Sequence, residues 1–288
     1  MWRTFLKLHL AVLIAGGTGL FGRLISYDAF MLVYLRFTFA FALILVYVIL
    51  THRLVAFNIR TIIKNGISGM LLCIHLILFY LSIKTSNVSI GTITLAATSF
   101  FTALLEPRLT GVKFYPKNLI FSILIISGLL LIFSFDIKFR LGIVLGILSA
   151  LFSSLFSIYN KRFSHHKDPY TCLTCQMGGG FVFLCAMTPL YALTVGFDGF
   201  NFNLKDFAYL LLLSSVFTVG LYLLIVQLMS RISAFTLNLT LNLEPVYAIL
   251  LAILIFNEDR ELNYSFYIGL FMVFLSVILQ NLRMKKVA

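Results

Sequence analysis

The feature of this sequence that most constrains its fold is a succession of apolar runs, each about long enough to cross a lipid bilayer. A helix that crosses the hydrocarbon core needs about 20 mainly apolar residues. Short polar segments separate ten such runs, which extend over residues 5–22, 29–50, 62–83, 88–105, 116–135, 141–160, 171–195, 207–228, 233–256 and 264–282. Backbone groups in lipid must find hydrogen-bond partners within their own segment, which favours helices. We therefore predict an all-α integral membrane protein with ten transmembrane helices.

Composition supports this assignment and argues against nucleic acid as a partner. The chain is 61% hydrophobic and only 11% charged, whereas an ordinary soluble domain is about 25% charged. The net charge of +12 would suit a phosphate backbone, but the basic residues lie in short loops and form no patch. The first run has no cleavage site after it and continues into further apolar segments, which favours a first span over a signal peptide. The expected surroundings are a lipid bilayer.

The distribution of lysine and arginine predicts the orientation. Ten crossings place both termini on the same side of the membrane. Fifteen Lys and Arg residues lie on that side and six on the opposite side. Cytoplasmic loops carry the excess of positive charge, so both termini are expected to be cytoplasmic.

Two halves of five spans each are expected to be inverted relative to each other, because five is an odd number. Residues 87–105 and 233–251 align, and each is followed by a polar loop and one more apolar run with a central glycine, Gly128 or Gly269. Inverted repeats with a binding site at the midplane are typical of secondary transporters. The pattern therefore indicates two inverted five-helix repeats and a transport function.

Several pieces of the chain resemble the drug/metabolite transporter superfamily, EamA type. They are L-H-L-A-V-L-I-A-G-G-T-G-L-F-G (8–22), Arg36, S-N-V-S (86–89) and L-E-P-V-Y-A-I-L-L-A (243–252). The resemblance implies a first repeat within 1–135, a second within 141–282 and a cytoplasmic tail at 283–288. It also implies a central cavity and export of amino acids or other small metabolites across the plasma membrane, in bacteria the inner membrane. Ser99 stands where many relatives have proline, so any hinge is expected to differ between the halves.

Polar side chains inside spans are expected to face the bundle interior or a water-filled cavity. The alternative is that hydroxyl groups bond their own backbone or join neighbouring helices. His75 is equally compatible with a neutral, satisfied histidine and with a cavity ligand. The candidate cavity-lining residues are Arg36, His75, Thr94, Thr98, Tyr222, Asn238, Thr240, Asn242 and Glu244.

Glu244 is the one acidic residue predicted to lie deep inside a span, about 16 Å from its end. It is expected to be protonated, paired or in contact with water, and it is a candidate for binding a proton or a substrate ammonium group. Pro245 cannot donate to the carbonyl of Leu241 and tends to kink a helix, so it is a candidate hinge. Arg36 is expected to extend to the outer interface, to pair with an acid or to receive a substrate carboxylate.

The favoured function is a secondary transporter of small amphipathic solutes, with a proton as a candidate coupling ion. The sequence contains no G-x-x-x-x-G-K-[ST] pattern, so ATP is not expected to be the direct energy source, and no cofactor is expected. An integral-membrane enzyme is the alternative, with His165, His166 and Asp168 as its candidate residues. A channel is disfavoured because rings of charge and filter-like loops are absent from the sequence. Cys172 and Cys175 form a C-x-x-C whose spacing matches no standard metal finger.

Overall fold

The computed structural model describes residues 2–52, 58–111, 116–163, 169–196, 203–229 and 243–284, and these ranges are helical except for short turns. Seven helical stretches in them are long and apolar enough to cross a membrane. Three shorter apolar helices lie within Ile123–Phe135, Glu244–Phe256 and Tyr264–Ser276. The all-α membrane fold is therefore confirmed, whereas the number of ten spans stays a prediction.

The helices of the first half begin at residue 2. They are α1 (Trp2–Gly17), α2 (Ala29–Leu50), α3 (Ile59–Thr85), α4 (Val88–Thr94), α5 (Ala97–Thr110) and α6 (Pro116–Phe135). A 3₁₀ turn at Thr18–Leu20 and a single helical turn at Phe21–Leu24 extend α1.

The described residues of the second half also form six helices. Its helices are α7 (Arg140–Phe163), α8 (Pro169–Thr194), α9 (Leu204–Ser214), α10 (Leu221–Met229), α11 (Glu244–Phe256) and α12 (Tyr264–Met284). A π-helical segment at Ser215–Gly220 joins α9 to α10.

Side chains with short polar groups start several of these helices. Asp28 accepts hydrogen bonds from the first amides of α2, and Asn58, Asn87 and Asn203 do the same for α3, α4 and α9. The first amides of a helix lack a partner within the helix, so these carboxylate and amide oxygens satisfy them. The sequence thereby places helix starts at the ends of its apolar runs.

The fourth apolar run is one stretch in sequence but two helices in the structure. Between α4 and α5, the amides of Leu95, Ala96, Thr98 and Ser99 bond to the carbonyls three residues earlier. Such bonds tighten the backbone into a 3₁₀-like turn. The run therefore changes its winding near its middle.

Three contacts join helices that occupy the same place in the two halves. The helix α2 packs on α8, α4 on α11, and α6 on α12. In the numbering of the apolar runs, these are the second with the seventh, the fourth with the ninth, and the fifth with the tenth. Each contact is of the kind that a two-fold axis between two repeats would produce.

The other contacts between the halves occur in matched pairs. The packing of α3 on α7 is matched by α1 on α10, and that of α3 on α8 is matched by α2 on α9. Similarly, α5 packs on α7 as α11 packs on α1. Exchanging the two halves converts each contact into its partner.

Glycines allow the closest of these approaches. A Cβ atom on Gly128 would lie 2.8 Å from the carbonyl oxygen of Gly269, and one on Gly269 would lie 2.7 Å from that of Gly128. The helices α3 and α8 also approach at Gly66 and Gly179. Small residues at helix contacts are typical of membrane bundles, in which packing replaces the hydrophobic effect.

Candidate functional site

Arg36 is a buried charged group within the described bundle. It lies seven residues from the start of α2, about 10 Å along the helix, and only 6% of its surface is exposed. Its Nε donates to the hydroxyl of Thr218 at 3.0 Å, and its Nη1 donates to the hydroxyl of Tyr80 at 2.9 Å. The side chain therefore joins α2 to α3 and to the π-helical segment.

One of the roles considered for Arg36 does not match this geometry, and a second, pairing with an acid, is not seen among the described residues. A side chain that is 94% covered does not extend to the outer interface. The ion pairs between described residues involve Arg23 and not Arg36. In particular, Glu244 is not paired with Arg36.

His75 is held by the neighbouring helix α7. Its Nδ1 lies 2.8 Å from the hydroxyl of Ser149 and 3.0 Å from the carbonyl oxygen of the same residue. The hydroxyl of Ser149 donates to the backbone oxygen of His75 at 2.8 Å. The histidine ring is also stacked on the ring of Phe79, with 6.2 Å between the ring centroids. These contacts agree with the view of His75 as a satisfied histidine that joins two helices.

The two threonines of the broken run have different surroundings. Thr94 is fully buried and donates to the carbonyl of Gly91 at 2.7 Å, and its side chain fills the space beside Gly146 on α7. Thr98 is half-buried and is the second residue of α5, just after the break. Its backbone carbonyl accepts a hydrogen bond from the hydroxyl of Thr102. Thr94 therefore joins helices, and Thr98 stays a candidate for solute contact.

Glu244 lies in the first turn of α11, followed directly by Pro245. A proline at this position lacks only an amide that would have no partner within the helix. The carbonyl of Glu244 faces Gly16 on α1, where a Cβ atom would approach it to 2.9 Å. Neither the kink at Pro245 nor the depth of Glu244 is tested, because the preceding residues lie outside the described ranges.

The remaining predicted residues lie on the eighth and ninth apolar runs. Asn238, Thr240 and Asn242 lie outside the described residues. Tyr222 lies in the first turn of α10 and packs, half-buried, beside the core. The structure therefore brings Arg36 together with residues of the eighth run, but it leaves the polar face of the ninth run untested.

A histidine–tyrosine contact was not anticipated from the sequence. His9 on α1 and Tyr247 on α11 are joined by a hydrogen bond of 2.9 Å between Nδ1 and the phenolic oxygen. Both residues lie in the segments on which the family resemblance was based. Their pairing across 238 positions has no local signal in the sequence.

Three buried acids at the end of the bundle opposite the termini were also missed. Glu258 is completely buried and accepts from Arg23 at 3.0 Å and from the amides of Val88 and Ser89 at 3.0 and 2.8 Å. Asp206 accepts from the amide and hydroxyl of Ser26.

The third acid, Asp136, accepts from Asn263 and Ser265. Each of the three acids joins the first half to the second. All three acids lie between the predicted apolar runs, where a charged residue is ordinary. The one sequence signal for such an acid was the S-N-V-S segment, because the first backbone amides of the helix that begins there need an acceptor from outside the helix.

A cavity of about 460 Å³ opens at this same end. Arg23, Lys84 and Lys138 contribute positive charge to its lining and Glu261 contributes a negative charge. Arg23 donates to Glu261 at 3.1 Å, and Lys84 donates to the carbonyl of Ile25 at 3.0 Å. These contacts occupy two of the three cationic groups.

The C-x-x-C pair and the enzyme candidates can be placed only in part. Cys172 and Cys175 are both buried in α8. His165, His166 and Asp168 lie outside the described residues. Groups of three or more potential metal ligands do not occur among the residues that the structure describes.

Comparison with known proteins gives one family. Residues 140–282 match the family described as the EamA-like transporter family. No curated protein matches the chain.

A solved structure, titled only as the crystal structure of a protein, aligns over 96% of this chain and 96% of its own length. Its TM-score is 0.62 and its sequence identity is 13%. At this level of identity the likeness shows a shared fold, and it extends over both halves of the chain.

Proposed function

Because the chain belongs to the EamA-like transporter family, within the drug/metabolite transporter superfamily, we propose that it is a secondary transporter of small metabolites. The solutes are amino acids or similar amphipathic molecules, and the direction is export across the plasma membrane. The protein works by alternating access, with ten spans, both termini cytoplasmic, and a proton as the candidate coupling ion.

The observation that carries this proposal is the matched packing of the two halves. Each contact described between the halves either joins equivalent helices or has a counterpart in which the halves are exchanged. Two halves that can exchange conformations offer two arrangements of similar energy, one open to each side. This property is what alternating access around a central site requires.

The three buried acids support the same mechanism. Glu258, Asp206 and Asp136 hold the two halves together at the end opposite the termini. In the proposed orientation this end is external, so these contacts keep the external side closed. They separate when that side opens.

The solute site that we propose lies between the halves, around Arg36. The proposed lining includes residues of both halves. It consists of Arg36, Thr98, Tyr222, Asn238, Thr240, Asn242 and Glu244, with Pro245 as a hinge, while His75 and Thr94 join neighbouring helices beside it.

Counterflow in liposomes tests the function. Purified protein is reconstituted into vesicles loaded with unlabelled amino acids, and uptake of the same labelled amino acid is measured. Transient accumulation above equilibrium identifies a carrier, because influx is driven by exchange. A channel equilibrates the label without accumulation, and an enzyme alters it chemically, so either result would exclude the proposal.

A further inference from the structure

The buried charge of Arg36 has only neutral partners among the described residues. Both hydrogen-bond acceptors, Thr218 and Tyr80, are hydroxyl groups. A charged side chain inside a membrane is costly unless it is paired or faces water. Eight of the ten acidic residues of the chain lie in the described ranges, and none of these eight pairs with Arg36. The guanidinium group therefore has solvation from hydroxyls but no described counter-charge.

The two hydroxyl groups are themselves oriented toward the guanidinium group. Thr218 donates its own hydrogen to the carbonyl of Leu213 at 2.9 Å, and Tyr80 donates to the carbonyl of Thr18 at 3.3 Å. With both hydrogens directed away, the oxygen lone pairs face Arg36. The arrangement fixes the arginine side chain in one position, which lowers the entropy lost when it binds a ligand.

The positions of the donors leave one edge of the guanidinium available. The described hydrogen bonds use Nε and Nη1, and within the described part of the chain Nη2 donates to no protein group. A carboxylate binds arginine through two parallel hydrogen bonds to neighbouring nitrogens. Each terminal nitrogen carries two hydrogens, so one carboxylate oxygen at Nη2 and the other at the second hydrogen of Nη1 would satisfy this pattern while Tyr80 stays in place.

The π-helical segment that carries Thr218 is an independent indication of function. Single π turns within helices occur frequently at functional sites, where they redirect side chains. In Ser215–Gly220 this turn places Thr218 against Arg36 while the adjacent Phe217 packs against Gly17 and Phe21 of the first span. The irregular winding therefore holds consecutive residues against two different helices.

We propose that Arg36, Tyr80 and Thr218 form an oxyanion subsite that binds the carboxylate of the transported solute. This inference rests on the proposed transport function and narrows its substrates to small molecules that carry a carboxylate. Tyr80 and Thr218 act as positioning residues, holding the guanidinium group when no solute is bound. The bound carboxylate supplies the counter-charge that the described protein lacks.

Binding to the full-length purified protein provides the test. Butyrate, butyramide and butylamine have the same carbon chain and differ only in their head group. Calorimetric titration at pH 7 is expected to show butyrate binding at least about tenfold more tightly than butyramide, the loss typical of a charged hydrogen-bonded pair. Butyrate binding no better than butyramide would overturn the proposal.

Variants assign the preference to this site. Arg36→Gln is expected to remove the preference for butyrate, and Arg36→Lys to reduce it, because lysine keeps the charge without the two-pronged geometry. Arg108→Gln, at an exposed arginine outside the cluster, is the matched control and keeps the preference. If Arg36→Gln does not fold, Tyr80→Phe and Thr218→Val serve as the second test. Each of these variants is expected to bind butyrate several-fold more weakly than the unchanged protein. Unchanged butyrate affinity in both of these variants overturns the assignment.

Counterflow separates this inference from the function on which it rests. If the protein exchanges butylamine or butyramide but neither exchanges butyrate nor is inhibited by it, the transport function stands and the carboxylate site is refuted. Conversely, butyrate binding that depends on Arg36, without counterflow of any carboxylate solute, would support the site and refute the transport function.

Discussion

Gly128 and Gly269 contact each other reciprocally: a side chain on either one would lie against the carbonyl oxygen of the other, at 2.8 and 2.7 Å. The two glycines occupy equivalent positions in the fifth and tenth apolar runs. A contact between equivalent residues is what a two-fold axis between two repeats would produce. The sequence alignment of the halves and the packing of α6 on α12 therefore support the same axis.

Replacing either glycine with alanine is expected to separate the two helices. Gly128→Ala and Gly269→Ala should each lower the free energy of unfolding by about 1–3 kcal/mol, the range for overpacked cores. The two losses should be similar, because the contact is reciprocal. Thermal unfolding in detergent measures them, and a large loss for one variant with none for the other would contradict the reciprocal contact.

The contact between Gly66 and Gly179 offers a matched pair with unequal outcomes. A Cβ atom on Gly179 would lie 2.2 Å from the Cα of Gly66, whereas one on Gly66 would lie 3.6 Å from the Cα of Gly179. Gly179→Ala should therefore destabilise the protein by about 1–3 kcal/mol, and Gly66→Ala should stay within about 0.5 kcal/mol. Equal unfolding temperatures for the two variants would show that the helices do not meet as described.

Glu258 and Glu261 form another matched pair, because both bind Arg23 but only Glu258 is buried. Glu258→Gln removes the charge and presents an amide nitrogen to backbone donors, so we expect a loss of roughly 2 kcal/mol or more. Glu261 is 31% exposed in its side chain, and Glu261→Gln should cost less than about 1 kcal/mol. The unfolding temperatures of the two variants measure these losses, and a larger loss for Glu261→Gln than for Glu258→Gln would contradict the burial of Glu258.

Glu244→Gln tests the role of the acid that begins α11. The substitution keeps the shape and most hydrogen bonding while removing the charge. Proton coupling predicts that the variant still exchanges solute but no longer responds to a pH gradient, whereas an ammonium ligand predicts weaker affinity for amine-bearing solutes at every pH. Transport with unchanged pH response and affinity would eliminate both roles.

Labelling tests the orientation and the inversion together. Single cysteines at Lys138 and Arg108, both exposed, are introduced into a cysteine-free background. They lie at opposite ends of the fifth run, so an impermeant thiol reagent added to intact cells should label Cys at 138 and not at 108. Labelling of both from the same side would contradict the orientation and the inverted repeat.

The fold was predictable from sequence to the extent that it depends on local patterns. Apolar length and helix-starting residues such as Asp28 and Asn87 specify where helices lie, because both act within one segment. The matching glycines at 128 and 269 were also visible as a repeat. The number of ten spans stays a prediction, since the first part of the ninth run lies outside the described ranges.

The site was predicted less completely, because its contacts join residues far apart in the chain. Arg36 stood out as a charge in an apolar run, but its partners Tyr80 and Thr218 follow from helix packing and from a π turn that sequence periodicity does not reveal. Glu258 lies between the ninth and tenth apolar runs, a position that gives no local sign of burial. Its burial depends on Arg23 and Ser89, which lie 235 and 169 positions away.

The interruption between α4 and α5 has a mechanical consequence that a proline at the equivalent position of the second half, Pro245, would not allow. Leu95, Ala96, Thr98 and Ser99 all retain amide hydrogens, so the tightened turn can rewind into a continuous helix without leaving any carbonyl short of a donor. Pro245 permanently withholds one donor. Winding a continuous helix through this point would therefore cost the first half no backbone hydrogen bond, whereas the same change at Pro245 would cost the second half one.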